Sequence, residues 1–127
     1  MEELFDFEME VSSFQIDQVE PGWYTARLID IEPGPTVEGR RTLRWVFQLT
    51  DGRQVTCLTS TRWNATGARK SKSVRIVEAI LGRSVQSSED WRTVIREALG
   101  GECRVRVAQR ITRGGLARPV VEEVVPA

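Results

Sequence analysis

Apolar and polar residues along the chain fall into short alternating runs. "FDFEMEV" at 5–11 sets Phe5, Phe7, Met9 and Val11 against Asp6, Glu8 and Glu10. That period of two predicts a strand with one apolar and one anionic face. Pro21-Gly22 marks a turn, and residues 23–32 predict a second strand, kinked where Leu28, Ile29 and Ile31 break strict alternation. Trp23 and Tyr24 begin it and cannot both face inward, so one of them is expected at the surface. Residues 33–41, rich in proline and glycine, read as a loop. The runs 42–50 and 53–60 flank Asp51-Gly52, a hairpin signal. A two-residue turn there would pair Phe47 with Thr56 and put Val55 and Cys57 on the opposite face. A three-residue loop, Thr50-Asp51-Gly52 with Gly52 left-handed, pairs Phe47 with Val55 and Trp45 with Cys57. The second register gathers Leu43, Trp45, Phe47, Val55 and Cys57 on one inward face and is the one expected. The outward face is then Arg44, Val46, Gln48, Gln54, Thr56 and Leu58.

Helical spacing begins after Ser73, where Val74, Val77, Ile80 and Leu81 form a stripe stopped by Gly82. A second helix follows Ser88, with Trp91, Val94, Ile95, Ala98 and Leu99 expected inward and Gly100-Gly101 closing it. Residues 102–110 alternate Cys103, Val105 and Val107 against Arg104 and Arg106, and Gly114-Gly115 turns the chain into a last strand at 119–125. Three strands, one or two helices and two strands is the succession of the OB-fold, a five-stranded Greek-key barrel with its helix between the third and fourth strands. An open α+β sheet of the same elements is the competing architecture. The barrel is assigned to residues 21–127, with 1–20 as a separate acidic segment carrying one strand.

Composition sharpens this. At 127 residues the chain suits one domain. It has no apolar run near the ~20 residues of a membrane span and no basic-then-apolar leader, so a cytoplasmic protein without a membrane partner is expected. Histidine is absent, which removes the usual general base and most nucleophile systems and catalytic zinc sites. Cys57 and Cys103 lie far apart in strand-like runs without a CxxC partner and read as buried reduced thiols. The carboxylates Asp30, Glu32 and Asp51 show no paired spacing that suggests a reaction. No enzyme activity, cofactor or metal is expected. The net charge of zero conceals a segregation: residues 1–20 hold seven acids and no cation, whereas the other 107 hold 18 cations against 11 acids. Sixteen of those cations are arginine, the side chain suited to phosphates and planar bases.

The densest cationic stretch is "TRWNATGARKSKSVR" at 61–75, with Arg62, Arg69, Lys70, Lys72 and Arg75, no acid, and Trp63 among them. It precedes the first helix, where the dipole is already positive, while the second helix opens on Ser88, Glu89 and Asp90 as helix physics favours. Cations, free N–H groups and the dipole together make an anion site. A solvated loop with mutually repelling charges is the alternative. Trp63 reads either as a base-stacking platform or as a lid over one end of the barrel; Trp45 and Trp91 read as core. Other cations lie in the segments by which an OB-fold grips its ligand: Arg40 and Arg41 between the first two barrel strands, and Arg110, Arg113 and Arg118 around the last turn. Arg44, Arg104 and Arg106 are expected to face outward.

The runs "RWVFQLTDGRQVTCLTS", "KSKSVRIVEAILG" and "LGGECRVRV" resemble small OB-fold proteins of phage and bacterial replication or recombination neighbourhoods, grouped with single-stranded DNA-binding proteins. The chain differs from them in carrying Val46 and Leu58 where stacking aromatics are usual, and in having its acidic segment at the N-terminus. The resemblance implies a binding module. The expected partner is single-stranded nucleic acid, DNA ahead of RNA, held with little sequence preference by Arg44, Arg62, Arg69, Lys70, Lys72, Arg75, Arg110 and Arg113, with Trp63 stacking a base. The rival is a protein-interaction module using the Val46/Leu58 face and the acidic strand. That strand has three open uses: an added barrel strand, a homodimer contact, or an anionic segment that competes for the basic groove or docks a replication or recombination partner.

Overall fold

A computed structural model describes residues 18–111 and 114–127. The expected strand at 5–11 lies outside the described residues, as does Arg113. Five strands and two helices follow in the expected order: β1 (Gly22–Pro33), β2 (Thr42–Leu49), β3 (Gln54–Ser60), α1 (Lys72–Leu81), α2 (Trp91–Ala98), β4 (Glu102–Ile111) and β5 (Ala117–Pro126). The strands form one antiparallel sheet in the order β3-β2-β1-β4-β5, and the outer strands β3 and β5 also approach each other. The result is a mainly β, barrel-like sheet with its helices between the third and fourth strands.

Local chemistry explains the registers. β2 and β3 pair Phe47 with Val55 and Trp45 with Cys57, the register of a three-residue loop. Gly52 takes φ 91°, and the Asp51 carboxylate accepts bonds from the Arg53 backbone and guanidinium at 3.0 and 2.8 Å. β1 carries its bulge between Leu28 and Asp30, so Leu28 is buried while Ile29 turns outward. The segment 33–41 is more ordered than a loop: Val37 and Arg40 exchange two backbone hydrogen bonds of 2.9 Å across Glu38 and Gly39, both at positive φ. Of the two aromatics opening β1, Trp23 is exposed. Tyr24 packs on the core and donates its hydroxyl to the Glu20 carbonyl at 2.7 Å.

The core joins Leu28, Trp45, Phe47, Val55 and Cys57 to Cys103, Val105 and Val107 of β4 and to Val74, Ile76 and Val77 of α1. The Trp45 indole N–H is satisfied inside it by the Thr59 hydroxyl at 2.9 Å. Gly101 sits where a Cβ would strike the Ile80 side chain, and β1 bonds to this glycine pair through Leu28 N–H to Gly101 O (3.1 Å) and Gly100 N–H to Leu28 O (2.7 Å).

Three expectations need correction. Trp91 is 46% exposed rather than core. Val94 and Ala98 set the inward direction of α2, and Trp91, at the helix's first residue, points past that face with the Arg92 guanidinium 4.9 Å above its ring. Leu99, expected inward with it, is 42% exposed: it is the extended C-cap residue, just past the last turn that Ala98 holds against the core. Val46 keeps the outward register expected of it, opposite Thr56 and outside the core cluster, though it is only 8% exposed. The N-cap of α2 is Asp90, not Ser88, since Glu89 is drawn off to accept the Gln86 N–H at 2.7 Å and to pair with Arg83.

Candidate nucleic-acid interface

The segment 61–71 leaves β3 and feeds α1. Its conformation is fixed by its own polar side chains. Asn64 organises it: its Oδ1 accepts the Thr66 backbone N–H (3.2 Å) and hydroxyl (2.9 Å), its Nδ2 donates to the Arg69 carbonyl (3.1 Å), and its carbonyl accepts the Ser71 N–H (3.0 Å). Gly67, at φ 74°, supplies the tip. Ser71, the extended residue before α1, makes no capping bond to its own helix; its hydroxyl accepts the Asn64 N–H at 3.0 Å instead. Ser73 is buried and donates its hydroxyl to the Arg62 carbonyl at 2.8 Å. Ser71 at the cap position and Ser73 in the first turn therefore staple the loop down, and that turn is left with neither a side-chain cap nor an acid. Such a helix end favours an incoming anion; the start of α2 also makes no side-chain cap bond and has no acid in its first turn, but its N-cap residue is itself an acid, Asp90.

The cations of this segment divide into two groups. Arg62, Arg69, Lys72 and Arg75 are exposed, and none of them has an acidic partner within the described chain. Lys72 Nζ makes only a long contact to the Leu58 carbonyl at 3.4 Å. Lys70 is different, because its ammonium is paired with Glu78 in a half-buried contact. Glu78 also accepts the Val85 N–H at 2.8 Å. Burial pushes the Glu78 carboxyl upward, but the bonds from Lys70 and Val85 outweigh it and hold the group below its usual value. An open depression of about 590 Å³ lies between Gly67, Ala68, Arg69, Lys70, Arg75 and Glu78. A second of about 190 Å³ runs between β3, α1 and β5, and Arg75 borders both.

The rest of the expected track is dispersed. Thr42 pairs with Ser60, so the β1–β2 tip with exposed Arg40 and Arg41 leaves the sheet at the same end as 61–71. β4 and β5 extend past the Gly22–Val107 pair, so Arg110 lies at the opposite end of the sheet. Three expected contacts are also neutralised by the protein's own carboxylates: Lys70 by Glu78, Arg44 by Glu32 at 3.1 Å, and Arg110 by Glu122 at 3.3 Å. Arg106 likewise meets Glu122 and Glu123 at 3.6 and 3.4 Å. The Arg44 and Arg110 pairs are solvent-exposed, and such pairs contribute only ~0–1 kcal/mol each.

Trp63 is half-buried and packs against the core, so much of its ring is already engaged by the protein. Among the described residues the aromatic rings most open to solvent are Trp23 and Trp91, each with an arginine over its face: Arg104 at 5.5 Å and Arg92 at 4.9 Å. The sequence reading missed Asn64 as the loop's organiser. The signal was Asn-x-Thr beside a glycine, which is an Asx-turn pattern as well as a glycosylation sequon. It missed Glu78 as well, whose helical position eight residues beyond Lys70 gives no local cue. Cys57 and Cys103 are both buried free thiols. Among the described residues no group of three or more His, Cys, Asp or Glu lies close enough to hold a metal ion, and no helix is long and apolar enough to cross a membrane. Comparison with protein families finds no match for this chain, and no curated protein matches it significantly.

Proposed function

We propose that the chain is an OB-fold barrel that binds single-stranded nucleic acid, DNA ahead of RNA, mainly through phosphates and with little sequence preference. Two things support the fold part of this reading: the strand order β3-β2-β1-β4-β5 with its outer strands brought together, and helices placed between the third and fourth strands. The observation that carries the binding part is the stapled loop at 61–71. It presents Arg62, Arg69, Lys72 and Arg75 without acidic partners around a helix start that its own serines leave uncapped. Arg40 and Arg41 extend this cationic end. Lys70 and Arg44 join it only by giving up their carboxylate partners, Arg110 stands apart at the opposite end of the sheet, and Trp63 contributes whatever edge it keeps exposed. Such a module would serve phage or bacterial replication or recombination as an accessory without catalysis. On the outward side of β2 and β3, which a protein-interaction reading would use, only Leu58 offers a large exposed apolar side chain, with Trp23 and Ile29 of β1 exposed on the same sheet.

Fluorescence anisotropy with a labelled single-stranded oligonucleotide tests the proposal. Binding should weaken steeply with salt, with a log–log slope of about −0.7 for each phosphate neutralised. A salt-independent signal, or no preference for single strands over duplex at low salt, would refute it.

A further inference from the structure

Phosphate chemistry explains the cations around the open depression beside α1, but it does not explain Glu78, an acid that lines the same space. Both bonds this carboxylate accepts, from the Lys70 ammonium and from the Val85 N–H at 2.8 Å, fall on Oε2, and Oε1 takes none among the described residues. Those two bonds hold the group below its usual value, so at neutral pH it is ionised and can only accept. Lys70 has N–H groups beyond the one it gives to Glu78. The pair is mostly covered, with side chains 24% and 19% exposed, so a bond made to it meets less competition from water than one on the open surface. Around it stand the exposed Arg69 and Arg75 and the loop at Gly67 and Ala68, enclosing about 590 Å³, within the ~300–1,000 Å³ of small-molecule sites.

The lining therefore sets a donor beside an acceptor, with two cations at the rim. A phosphate alone would be repelled by the carboxylate. The fitting ligand carries an anion and, close to it, an edge on which an acceptor adjoins donors. Among the nucleobases guanine has that edge in full, with the O6 carbonyl next to N1–H and the N2 amino group. Cytosine and adenine bring a single amino group, and thymine and uracil flank their one N–H with two carbonyls that a carboxylate repels. We propose that this depression receives one guanine of the bound single strand. Glu78 Oε1 accepts from N1–H and the N2 amino group, Lys70 donates to O6 without leaving Glu78, and an adjoining phosphate meets Arg69 and Arg75. The inference rests on the nucleic-acid reading and adds to an otherwise indifferent track one position that prefers guanine. No aromatic side chain lines the depression, so the base is held by its edge alone. The preference over thymine is then about fivefold, the low end for a paired base contact.

Anisotropy competition tests this with short oligothymidylates that differ at one central position. Guanine there should tighten binding about fivefold over thymine. 7-Deazaguanine, which keeps the same edge, should match guanine, and hypoxanthine, which lacks the N2 amino group, should lose most of the gain; neither comparison alters the protein. Glu78→Gln, shown to be folded by urea titration, should bring guanine and thymine to within about twofold of each other. Strands that bind with a steep salt slope but equally well with guanine or thymine would overturn the guanine position and leave the phosphate reading standing, whereas no salt-dependent binding of either would remove both. Hypoxanthine as good as guanine, or a preference that persists in Glu78→Gln, would place the selectivity away from this carboxylate. Guanosine monophosphate competing as well as the guanine-bearing strand would make the free nucleotide the ligand and overturn the assignment to a strand.

Discussion

Replacing Glu78 by glutamine tests the energetics and the binding site together. In the folded protein this carboxylate receives the Lys70 ammonium and the Val85 N–H in a setting where both charged side chains are about four-fifths covered. A hydrogen bond to a charged group contributes about 1.5–3 kcal/mol, and a partly buried lysine left alone adds desolvation that is only partly relieved by its swinging into solvent. A loss of about 2 kcal/mol is expected, which for a chain of this size lowers Tm by about 6–10 °C. Because the carboxyl is held below its ordinary value, its contribution is fully present above the unfolded value near 4.5 and is lost as pH falls through the lower folded value. The stability gap between the native chain and Glu78→Gln should therefore close in acid. At the same time Lys70, freed beside Arg69 and Arg75, becomes a fifth unpaired cation at the loop. The salt slope of oligonucleotide binding should then steepen by about 0.7. Urea titration from pH 3 to 7 and anisotropy across a salt series read the two effects. A variant that is destabilised at pH 7 but whose salt slope is unchanged would mean that Lys70 does not face the nucleic-acid path. One as stable as the native chain would mean that the pair contributes nothing.

Other substitutions separate structure from binding. Lys72→Gln/Arg75→Gln should flatten the salt slope by about 1–1.5 while leaving stability unchanged or raising it by a few tenths of a kcal/mol, since both cations oppose the α1 dipole; a large loss of stability in urea would contradict this. Asn64→Ala should weaken binding without removing any charge, because the cations lose their fixed setting, and hydrogen exchange at 64–71 should rise with it. Thr59→Val leaves the buried Trp45 indole N–H without its acceptor and should cost about 1–3 kcal/mol in chemical denaturation.

The strand pattern was legible because each barrel strand has one face in the core. Phe47 opposite Val55 follows from the period of two and a three-residue turn, and a slip of one residue would have turned Val55 and Cys57 away from the face that holds Leu43, Trp45 and Phe47. The bulge at Leu28 was visible for the same reason, as a local breach of alternation. Helix α2 was misread at Trp91 and Leu99. Helical spacing gives the line of a stripe but not which edge of it meets the core, and in a helix of eight residues Val94 and Ala98 alone decide that.

The candidate site shows the same divide between local and distant information. A crowd of cations before a helix is read directly from residues 61–75, and so is the absence of acids within that window. Whether each cation stays unpaired depends on residues far along the chain: Glu78 for Lys70, Glu32 for Arg44, and Glu122 for Arg110. Serine placement is equally ambiguous in one dimension. Ser71 stands where a cap belongs, yet its hydroxyl closes a ring with Asn64 seven residues back, and the helix it precedes stays electropositive. Charge density in the sequence therefore sets an upper bound on a binding surface. The folded chain reduces it by self-pairing, and what remains here gathers where two serines hold the loop still and leave the helix end uncapped.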